Sequence, residues 1–464
     1  MALIKSISGI RGTIGGKVGE GLSPVDVVKF ASAYGSWVLD QTDNRKIVIG
    51  RDARLSGQMV SNLVSSTLQG LGIDVIDLGL STTPTVELAV PMEKAGGGII
   101  LTASHNPIQW NALKLLNNKG EFISAEEGQD ILERAENEDF TFAEVRKLGS
   151  YTQLDDYLEK HILHVLNLEL VDAQAIKERN FKIVVDAVNS TGGIVVPKLL
   201  RALGVEVIEE MFCKPTGDFP HNPEPLPEHL RDISSKLEKG NFDLGIVVDP
   251  DVDRLAFVNE DGSAFGEEYT LVAVADYVLS QTPGNTVSNL SSTRALKDVT
   301  EKRGGVYTAA AVGEVNVVNQ MKAVDAVIGG EGNGGIIYPT SHYGRDALVG
   351  IGLFLTHLAK TGGTISRLRA TYPGYFISKN KIELTPDLDV DNILSEIKSK
   401  YQNHEINDID GVKIEFEKEW VHLRKSNTEP IIRIYSESAS EATAEHLAQK
   451  IIQDIKEIVN SALI

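Results

Sequence analysis

Four short polar segments of the chain carry residue types that could take part in catalysis. The first, "TASHNP" (102–107), follows the apolar run "GGIIL" and places Ser104 and His105 where a strand is predicted to end. Hydrolytic serine chemistry needs a base and a third group that orients it, and the sequence has no G-x-S-x-G motif. A serine that carries a phosphoryl group needs cations and a metal nearby, and Lys114 follows closely.

The second segment is acidic. Asp249, Asp251 and Asp253 occupy alternate positions after the apolar run "LGIVV". Alternate side chains of an extended segment point to one side, so we predict three converging carboxylates, which repel unless a cation compensates. Oxygen ligands suit Mg²⁺. An EF-hand is rejected because Arg254 stands where glycine is needed, whereas an aspartate nucleophile of the D-x-D type stays open although disfavoured.

Two further segments could bind a polar ligand. "GGEGNGGIIYP" (329–339) combines glycines, which let a backbone approach a ligand closely, with Glu331 and Asn333, which can bond to hydroxyl groups. "RKSNTEPIIRIYS" (424–436) brings two guanidinium groups and short donors around a turn, a set that fits a phosphate. Its candidate ligands are Arg424, Ser426, Asn427, Thr428 and Arg433.

The elements that must position these segments follow an α/β pattern. Short β-branched runs alternate with helical stretches in three successive rounds, which predicts mainly parallel sheets with ligand sites beyond the carboxyl ends of the strands. After "RATYPGYF" the strands alternate polar and apolar residues, which predicts an antiparallel sheet with two helices. We expect four domains, bounded at 1–150, 151–255, 256–370 and 371–464.

Composition limits the class of partner. The chain has 464 residues and a formal net charge of -20, which repels polyanions, so we expect binding to neither nucleic acid nor membrane. Cys213 is the only cysteine, which excludes an internal disulfide and fits a reducing compartment. With no signal-peptide pattern and no long apolar stretch, we expect a cytoplasmic protein, monomeric or homodimeric.

Taken together, the four segments, in this order and spacing, resemble the α-D-phosphohexomutases, most closely the phosphoglucosamine mutase branch. "TASHNP" with "WNALK" resembles the phosphoserine loop, "DPDVDR" the metal loop, "GEGNGG" the sugar loop and "RKSNTEP" the phosphate loop. "SGIRG" and "GRDARLSG" match as well. The resemblance covers nearly the whole chain. It implies four domains around a central cleft, three of similar mixed α/β topology and a C-terminal α+β domain with an antiparallel sheet.

The resemblance also implies a reaction. Hexose 6-phosphate and 1-phosphate would interconvert through a phosphoserine enzyme and a bisphosphorylated sugar, with glucosamine phosphate as the substrate, for amino-sugar nucleotide and cell-wall precursor synthesis. The implied catalytic residues are Ser104, Lys114 as general base, Arg254, Arg11 and His105. The implied ligands of one Mg²⁺ ion are Ser104, Asp249, Asp251 and Asp253. Glu331 and Asn333 would bind the sugar, and Arg424, Ser426, Asn427, Thr428 and Arg433 the non-reacting phosphate.

The sequence departs from the family pattern at four positions. Asn333 stands where serine is usual, Gly335 where histidine is frequent, and Pro250 and Ala112 where glycine is common. The missing histidine leaves the second proton-transfer group unassigned, with His342 as a nearby candidate. A mutase for mannose or glucose phosphates, a non-catalytic phosphosugar-binding protein and an aspartate-based phosphatase are the alternative functions.

Overall fold

The computed structural model describes residues 2–6, 9–383, 388–425 and 431–462. We refer to four units, each built on one sheet. The strands of the first unit are β1 (Leu3–Ser6), β2 (Gly9–Thr13), β3 (Lys46–Arg51), β4 (Asp74–Leu80), β5 (Gly97–Leu101), β6 (Trp110–Leu116) and β7 (Tyr151–Gln153). Its helices are α1 (Pro24–Gln41), α2 (Gly57–Gly70), α3 (Thr83–Met92) and α4 (Ala125–Asn137).

The next two units follow in the same style. The second unit contains α5 (Tyr157–Leu166), α6 (Ala173–Glu178), β8 (Lys182–Asp186), α7 (Gly192–Ala202), β9 (Val207–Met211), α8 (Arg231–Lys239), β10 (Leu244–Val248) and β11 (Leu255–Asn259). The third contains α9 (Glu267–Gln281), β12 (Asn285–Asn289), α10 (Ala295–Lys302), β13 (Tyr307–Ala310), α11 (Glu314–Ala323), β14 (Ala326–Glu331), β15 (Gly335–Ile337), α12 (Ala347–Thr361) and α13 (Ile365–Arg369).

The fourth unit is an antiparallel sheet in the order β16-β20-β19-β18-β17. Its elements are β16 (Phe376–Glu383), α14 (Val390–Lys400), β17 (Glu405–Asn407), β18 (Val412–Glu415), β19 (Trp420–Lys425), β20 (Ile431–Ser438) and α15 (Glu441–Ala462). Helices α14 and α15 pack their apolar faces on this sheet to form a separate core.

The first three sheets share one topology. Their strand orders are β6-β5-β3-β4 within the first sheet, β11-β10-β8-β9 in the second and β15-β14-β12-β13 in the third. Each therefore has three parallel strands and a fourth that runs antiparallel to the third. The connection between the third and fourth strands occupies the same place in all three units, at the carboxyl end of the third strand.

Burial explains the apolar runs that precede two of these connections. Every residue of β5 and of β10 is buried, because both strands are central in their sheets and covered on both faces. The first unit has its own core, whereas one continuous core runs from α5 to α13 and joins the second and third units.

The fold prediction is confirmed: three mixed α/β sheets are followed by an α+β unit with an antiparallel sheet. The domain divisions predicted from sequence separate all of β7 and most of β11 from the sheets to which they belong. β7 pairs with β4 of the first sheet, and β11 pairs with β10 of the second. We therefore propose that these divisions lie after Gln153 and after Asn259. Within the described ranges, we find no helix with the length and apolar character needed to cross a bilayer.

Candidate active site

The connections between third and fourth strands of the three α/β units meet at one cleft of about 670 Å³. The cleft thus brings together predicted residues that are far apart in sequence. Its polar lining includes Arg11, Ser104, His105, Lys114, Arg254, Glu314, Glu331 and Arg345.

Ser104 lies in the connection after β5 and points toward the second unit. Its Oγ donates a hydrogen bond to Asp249 Oδ2 at 2.6 Å and lies 3.4 Å from His105 Nδ1. Its backbone is in the left-handed region, with φ +47°, which a non-glycine residue adopts only at some cost. The hydroxyl of Thr102 stabilises this turn by accepting the Ser104 N–H at 2.9 Å.

Arg54 holds the serine loop from beneath, although the sequence alone did not single it out. Its guanidinium is fully buried and pairs with Asp52 at 3.0 Å, and Asp52 in turn accepts the Thr102 hydroxyl at 2.6 Å. The remaining guanidinium N–H groups donate at 2.5 to 3.0 Å to the backbone carbonyls of Ser104, Asn106, Pro107 and Trp110. Burial raises the pKa of Asp52, and Arg54 opposes that rise.

The three predicted carboxylates do converge, but for a different reason from the one predicted. The connection after β10 is a turn rather than an extended strand, with Val252 in the left-handed region at φ +62°. Asp249 Oδ1 closes this turn by accepting the N–H groups of Asp253 and Arg254 at 3.2 and 3.1 Å. One oxygen from each of Asp249, Asp251 and Asp253 lies within 4.8 Å of the others, and all three residues are fully buried.

Neighbouring side chains engage one oxygen of each downstream aspartate. Lys114 Nζ lies 2.7 Å from Asp251 Oδ2 and 3.3 Å from Asp253 Oδ2. Thr83 donates to Asp251 Oδ2 at 2.6 Å, and Arg345 donates to Asp253 Oδ2 at 2.7 Å. Burial alone would lower the pKa of Lys114, but the two aspartates outweigh it and raise that pKa above its usual value.

The remaining oxygens fit a metal ion. In the part of the chain that the structure describes, Asp251 Oδ1 and Asp253 Oδ1 are buried without a hydrogen-bond partner. Burial raises the pKa of Asp249 well above its usual range, and the charges of Asp253 and Asp251 add to the rise. A hard divalent cation would bind these two carboxylate oxygens and would offset the unfavourable negative charge of Asp249.

The other predicted catalytic residues line the same cleft as Ser104. Arg11 on β2 and Arg254 both line the cleft, and Arg254 Nη1 pairs with Glu224 Oε1 at 3.2 Å. Burial and the charge of Arg254 lower the pKa of Arg11, and the same two causes lower the pKa of His105 well below its usual value. The His105 imidazole, whose lowered pKa favours the neutral form, and two guanidinium groups therefore line the same cleft as Ser104.

Glu331 ends β14 and faces the cleft from the third unit. Its Oε1 accepts from Asn289 Nδ2 at 2.8 Å and from the Gly313 N–H at 3.2 Å, and its Oε2 accepts from Arg345 Nη1 at 2.8 Å. Burial raises the pKa of Glu331, but Arg345 outweighs it, so the carboxylate remains charged.

Asn333 stabilises the sugar loop from within. Its Oδ1 accepts the Gly335 N–H at 3.1 Å and its Nδ2 lies 3.4 Å from Glu331 Oε2. It is absent from the lining formed by the described residues, so its predicted contact with sugar stays a prediction.

In each α/β unit, the loop that follows the first of the three parallel strands, β3, β8 or β12, supports the connection between the third and fourth strands. Arg54 does so after β3. After β8, Ser190 Oγ donates to the Pro250 carbonyl at 2.7 Å, and after β12, Ser292 Oγ accepts the Gly332 N–H at 2.9 Å. The repeated topology thus supplies both the position of each functional loop and its support.

One candidate, His342, lies away from the cleft lining. His342 sits behind it, with Nδ1 3.4 Å from Glu87 Oε2 and Nε2 3.1 Å from Asp346 Oδ2. Asp346 caps the start of α12 and also bonds to His161 at 2.8 Å, so this histidine belongs to a buried structural network. The substitute role that the sequence suggested for His342 gains no support.

The predicted phosphate segment is partly described. Ser426, Asn427 and Thr428 lie outside the described residues. Arg424 and Arg433 are directly opposite on the neighbouring strands β19 and β20, which brings two cations to one face. Asp410 Oδ2 lies 2.8 Å from Arg424 Nε and accepts the N–H of Val312, a residue of the cleft lining, at 2.9 Å.

Comparison with known proteins establishes the family. Four family models, one for each domain of phosphoglucomutase/phosphomannomutase, match this chain. The models of alpha/beta/alpha domains I, II and III match residues 4–142, 157–262 and 266–375, and the model of the C-terminal domain matches residues 385–453. The chain belongs to the phosphoglucomutase/phosphomannomutase family. It is therefore a phosphohexomutase, an enzyme of the isomerase class, as the sequence indicated.

Individual members of the family differ in the sugar they are named for. A phosphoglucomutase/phosphomannomutase of Thermococcus kodakarensis is 34% identical over 93% of this chain and 95% of its own. A probable phosphoglucosamine mutase of Methanopyrus kandleri is 31% identical over 97% of both chains. The solved structure of a family protein from Burkholderia thailandensis has a TM-score of 0.86 at 26% identity, covering 98% of this phosphohexomutase and 97% of that chain.

Proposed function

We propose that this phosphohexomutase carries a phosphoryl group on Ser104 and prefers a hexosamine phosphate, converting glucosamine 6-phosphate to glucosamine 1-phosphate. The observation that supports the carrier role is the 2.6 Å contact between Ser104 Oγ and Asp249, in a cleft that also contains Lys114 and Arg254. Phosphoryl transfer depends on positioning and on neutralising charge, and this arrangement supplies both.

The proposed transfer balances without a further reactant. The bond between phosphorus and Ser104 Oγ breaks, a bond to a sugar hydroxyl oxygen forms, and the hydroxyl proton passes to a group of the cleft. The resulting bisphosphate turns, returns its other phosphoryl group to Ser104 Oγ, and takes back a proton. Lys114 is the general base that the sequence suggested, but against the effect of burial Asp251 and Asp253 raise its pKa and favour its ammonium form, so it can accept the hydroxyl proton only after giving up its own. Arg11 and Arg254 neutralise the phosphoryl oxygens.

The aspartates would hold one Mg²⁺ ion. Lys114, Thr83 and Arg345 occupy the Oδ2 atoms of Asp251 and Asp253, which leaves both Oδ1 atoms to face a ligand. When bound, the ion supplies charge stabilisation to a phosphoryl group. The residues around the aspartates fix the direction in which the open oxygens point.

The sugar side of the cleft favours a positive substituent. Glu314 accepts two hydrogen bonds from Arg345, and Glu331 and Asp253 bond to the same guanidinium. Three carboxylates thus share one arginine, so an ammonium group at C2 of an amino sugar gains attraction that a hydroxyl does not. The name of the Methanopyrus kandleri relative agrees with this preference, and a glucose or mannose phosphate is the second candidate.

The test is the value of kcat/KM for glucosamine, glucose and mannose phosphates, measured with one bisphosphate activator and one Mg²⁺ concentration. The proposal predicts the highest value for glucosamine. Glu314→Gln should lower the ratio of glucosamine to glucose values, because it removes one negative charge from the sugar side. Asp298→Asn, which alters a carboxyl of the same unit outside the cleft lining, should leave the ratio unchanged. A wild-type preference for glucose or mannose would reject the hexosamine assignment.

A further inference from the structure

Arg345 connects the acidic loop of the second unit with the sugar loop of the third. It follows β15 and lies immediately before the first turn of α12. Its Nη2 donates to Asp253 Oδ2 at 2.7 Å, and its Nη1 donates to Glu331 Oε2 at 2.8 Å. Its Nε and its backbone N–H donate to the two oxygens of Glu314, each at 3.0 Å. One side chain therefore touches the aspartate site, the sugar site and the start of α11.

The planar shape of this side chain matters as much as its charge. Arg345 is buried, and its donors leave the guanidinium in different directions toward three separate carboxylates. A lysine ammonium carries the same charge but is a single point at the end of a flexible stem, so it cannot span the same partners. Removing the charge would instead leave buried carboxylates unpaired.

Gly335 provides the space in which Arg345 lies. A Cβ built on Gly335 would overlap Cδ of the arginine side chain and would approach its Cγ to 3.1 Å. Gly335 does not adopt a positive φ, so the reason for glycine here is the closeness of Arg345 rather than the backbone conformation. The absence of a larger side chain at this position is thus coupled to the presence of the arginine.

We infer that Arg345 is a positioning residue for the mutase reaction, which fixes Asp253 and Glu331 relative to each other so that metal binding and sugar binding depend on the same side chain. Gly335 is part of the same arrangement, because it leaves the space that the Arg345 side chain occupies. The identities of the substrate and of the metal rest on the proposed function. The contacts that Arg345 makes with Asp253 and Glu331 do not depend on it. A displacement of about 1 Å at either loop would misalign the reacting groups.

The test compares Arg345→Lys and Arg345→Gln with the wild-type enzyme. Both variants should lower kcat/KM by about 10²-fold, the usual effect of such a misalignment. Calorimetric titration of the unphosphorylated proteins should show weaker binding of both Mg²⁺ and glucosamine 6-phosphate. Wild-type kinetic and binding constants in Arg345→Lys would show that charge alone suffices, and a lower melting temperature with unchanged binding would show a merely structural role; either result overturns the inference.

Two further variants sharpen the result. Arg303→Gln removes an arginine paired with Asp276 at 2.7 Å in the same unit and should change neither binding constant. Gly335→Ala should reproduce the loss seen in Arg345→Gln, yet add little in an Arg345→Ala background, where the space is free. Additive losses would contradict the coupling. If the wild-type enzyme does not turn over glucosamine phosphate, the proposed hexosamine preference fails, while the calorimetric titrations with Mg²⁺ still decide the role of Arg345.

Discussion

Ser104 Oγ and Asp249 Oδ2 lie 2.6 Å apart, although the two residues are 145 positions apart in the chain. The contact joins equivalent connections of two α/β units, each between the third and fourth strands of its sheet. In the third unit Glu331 is the last residue of β14, immediately before the same connection. The active cleft of this phosphohexomutase is therefore built by one topological feature used three times.

Asp249→Asn should lower turnover without lowering the stability of the metal-free protein. The amide oxygen can still accept the turn N–H groups, and the amide NH2 can donate to Ser104 Oγ, while the buried negative charge that Asp251 and Asp253 repel is removed. We expect turnover in Mg²⁺ to fall by several orders of magnitude, while the free energy of unfolding in chelator stays equal or rises. Steady-state assays and denaturant unfolding check the two parts. Full activity in excess chelator would reject the metal site, and a large loss of metal-free stability would reject the repulsion.

Arg54→Lys should slow the chemical step more than it weakens substrate binding. The lysine cannot reach the four carbonyls that Arg54 holds, so the Ser104 loop loses its fixed geometry. We expect kcat to fall by about 10²-fold with a smaller change in KM. Arg51→Lys is the matched control, because Arg51 contacts Gln58 and the Asp52 carbonyl rather than the loop. Equal kinetic effects of the two substitutions would contradict the role of Arg54.

Arg424→Ala should chiefly raise KM. Arg424 faces Arg433 across β19 and β20, and two cations on one face attract the phosphate that does not react. We expect a smaller fall in kcat, because Asp410 also connects Arg424 to the loop that lines the cleft. Lys400→Ala, which removes a lysine of α14 paired with Asp454 at 2.7 Å, is the control and should leave KM unchanged. An unaltered KM in Arg424→Ala for every sugar phosphate would count against phosphate binding at this site.

Glu268→Gln should flatten the dependence of stability on pH. Glu268 accepts the Thr293 N–H at 2.9 Å beneath the sugar loop, and burial raises its pKa from 4.5 to about 8. Between these values the folded protein keeps a proton that the unfolded chain releases, so wild-type stability falls as pH rises toward 8. The glutamine variant lacks this loss, which amounts to a few kcal/mol at about 1.4 kcal/mol per pH unit. Unfolding curves at pH 5 and 8 test it, and parallel profiles would refute it.

The sequence predicted the positions of the functional loops better than their internal contacts. Ser104, Asp249 and Glu331 follow apolar runs, and the carboxyl end of a buried parallel strand is where such residues gather. The reason given for the aspartate triad was wrong, because alternation along a strand does not describe a turn that Val252 bends in the left-handed region.

Arg54 and Arg345 escaped prediction for a common physical reason. Most of their partners are backbone carbonyls or carboxylates that lie far away along the chain, and the periodicity of a sequence does not indicate such contacts. Each stands within two residues of an aspartate in a short glycine-containing segment, "GRDARLSG" and "YGRDA", which is the signal that could have drawn attention to them. The division between the second and third domains was equally hard to place, since one core joins these units.

The central claim is that Ser104 carries the phosphoryl group, and a single-turnover label-transfer experiment tests it most directly. Enzyme labelled with radioactive phosphate by a hexose bisphosphate is digested to map the label, and a second portion is mixed with glucosamine 6-phosphate. We predict that the label maps to Ser104, passes to a hexosamine bisphosphate and then to the monophosphate, while Ser104→Ala takes up no label and loses turnover by several orders of magnitude. Label on another residue, label retained while product forms, or near wild-type turnover in Ser104→Ala would contradict the account.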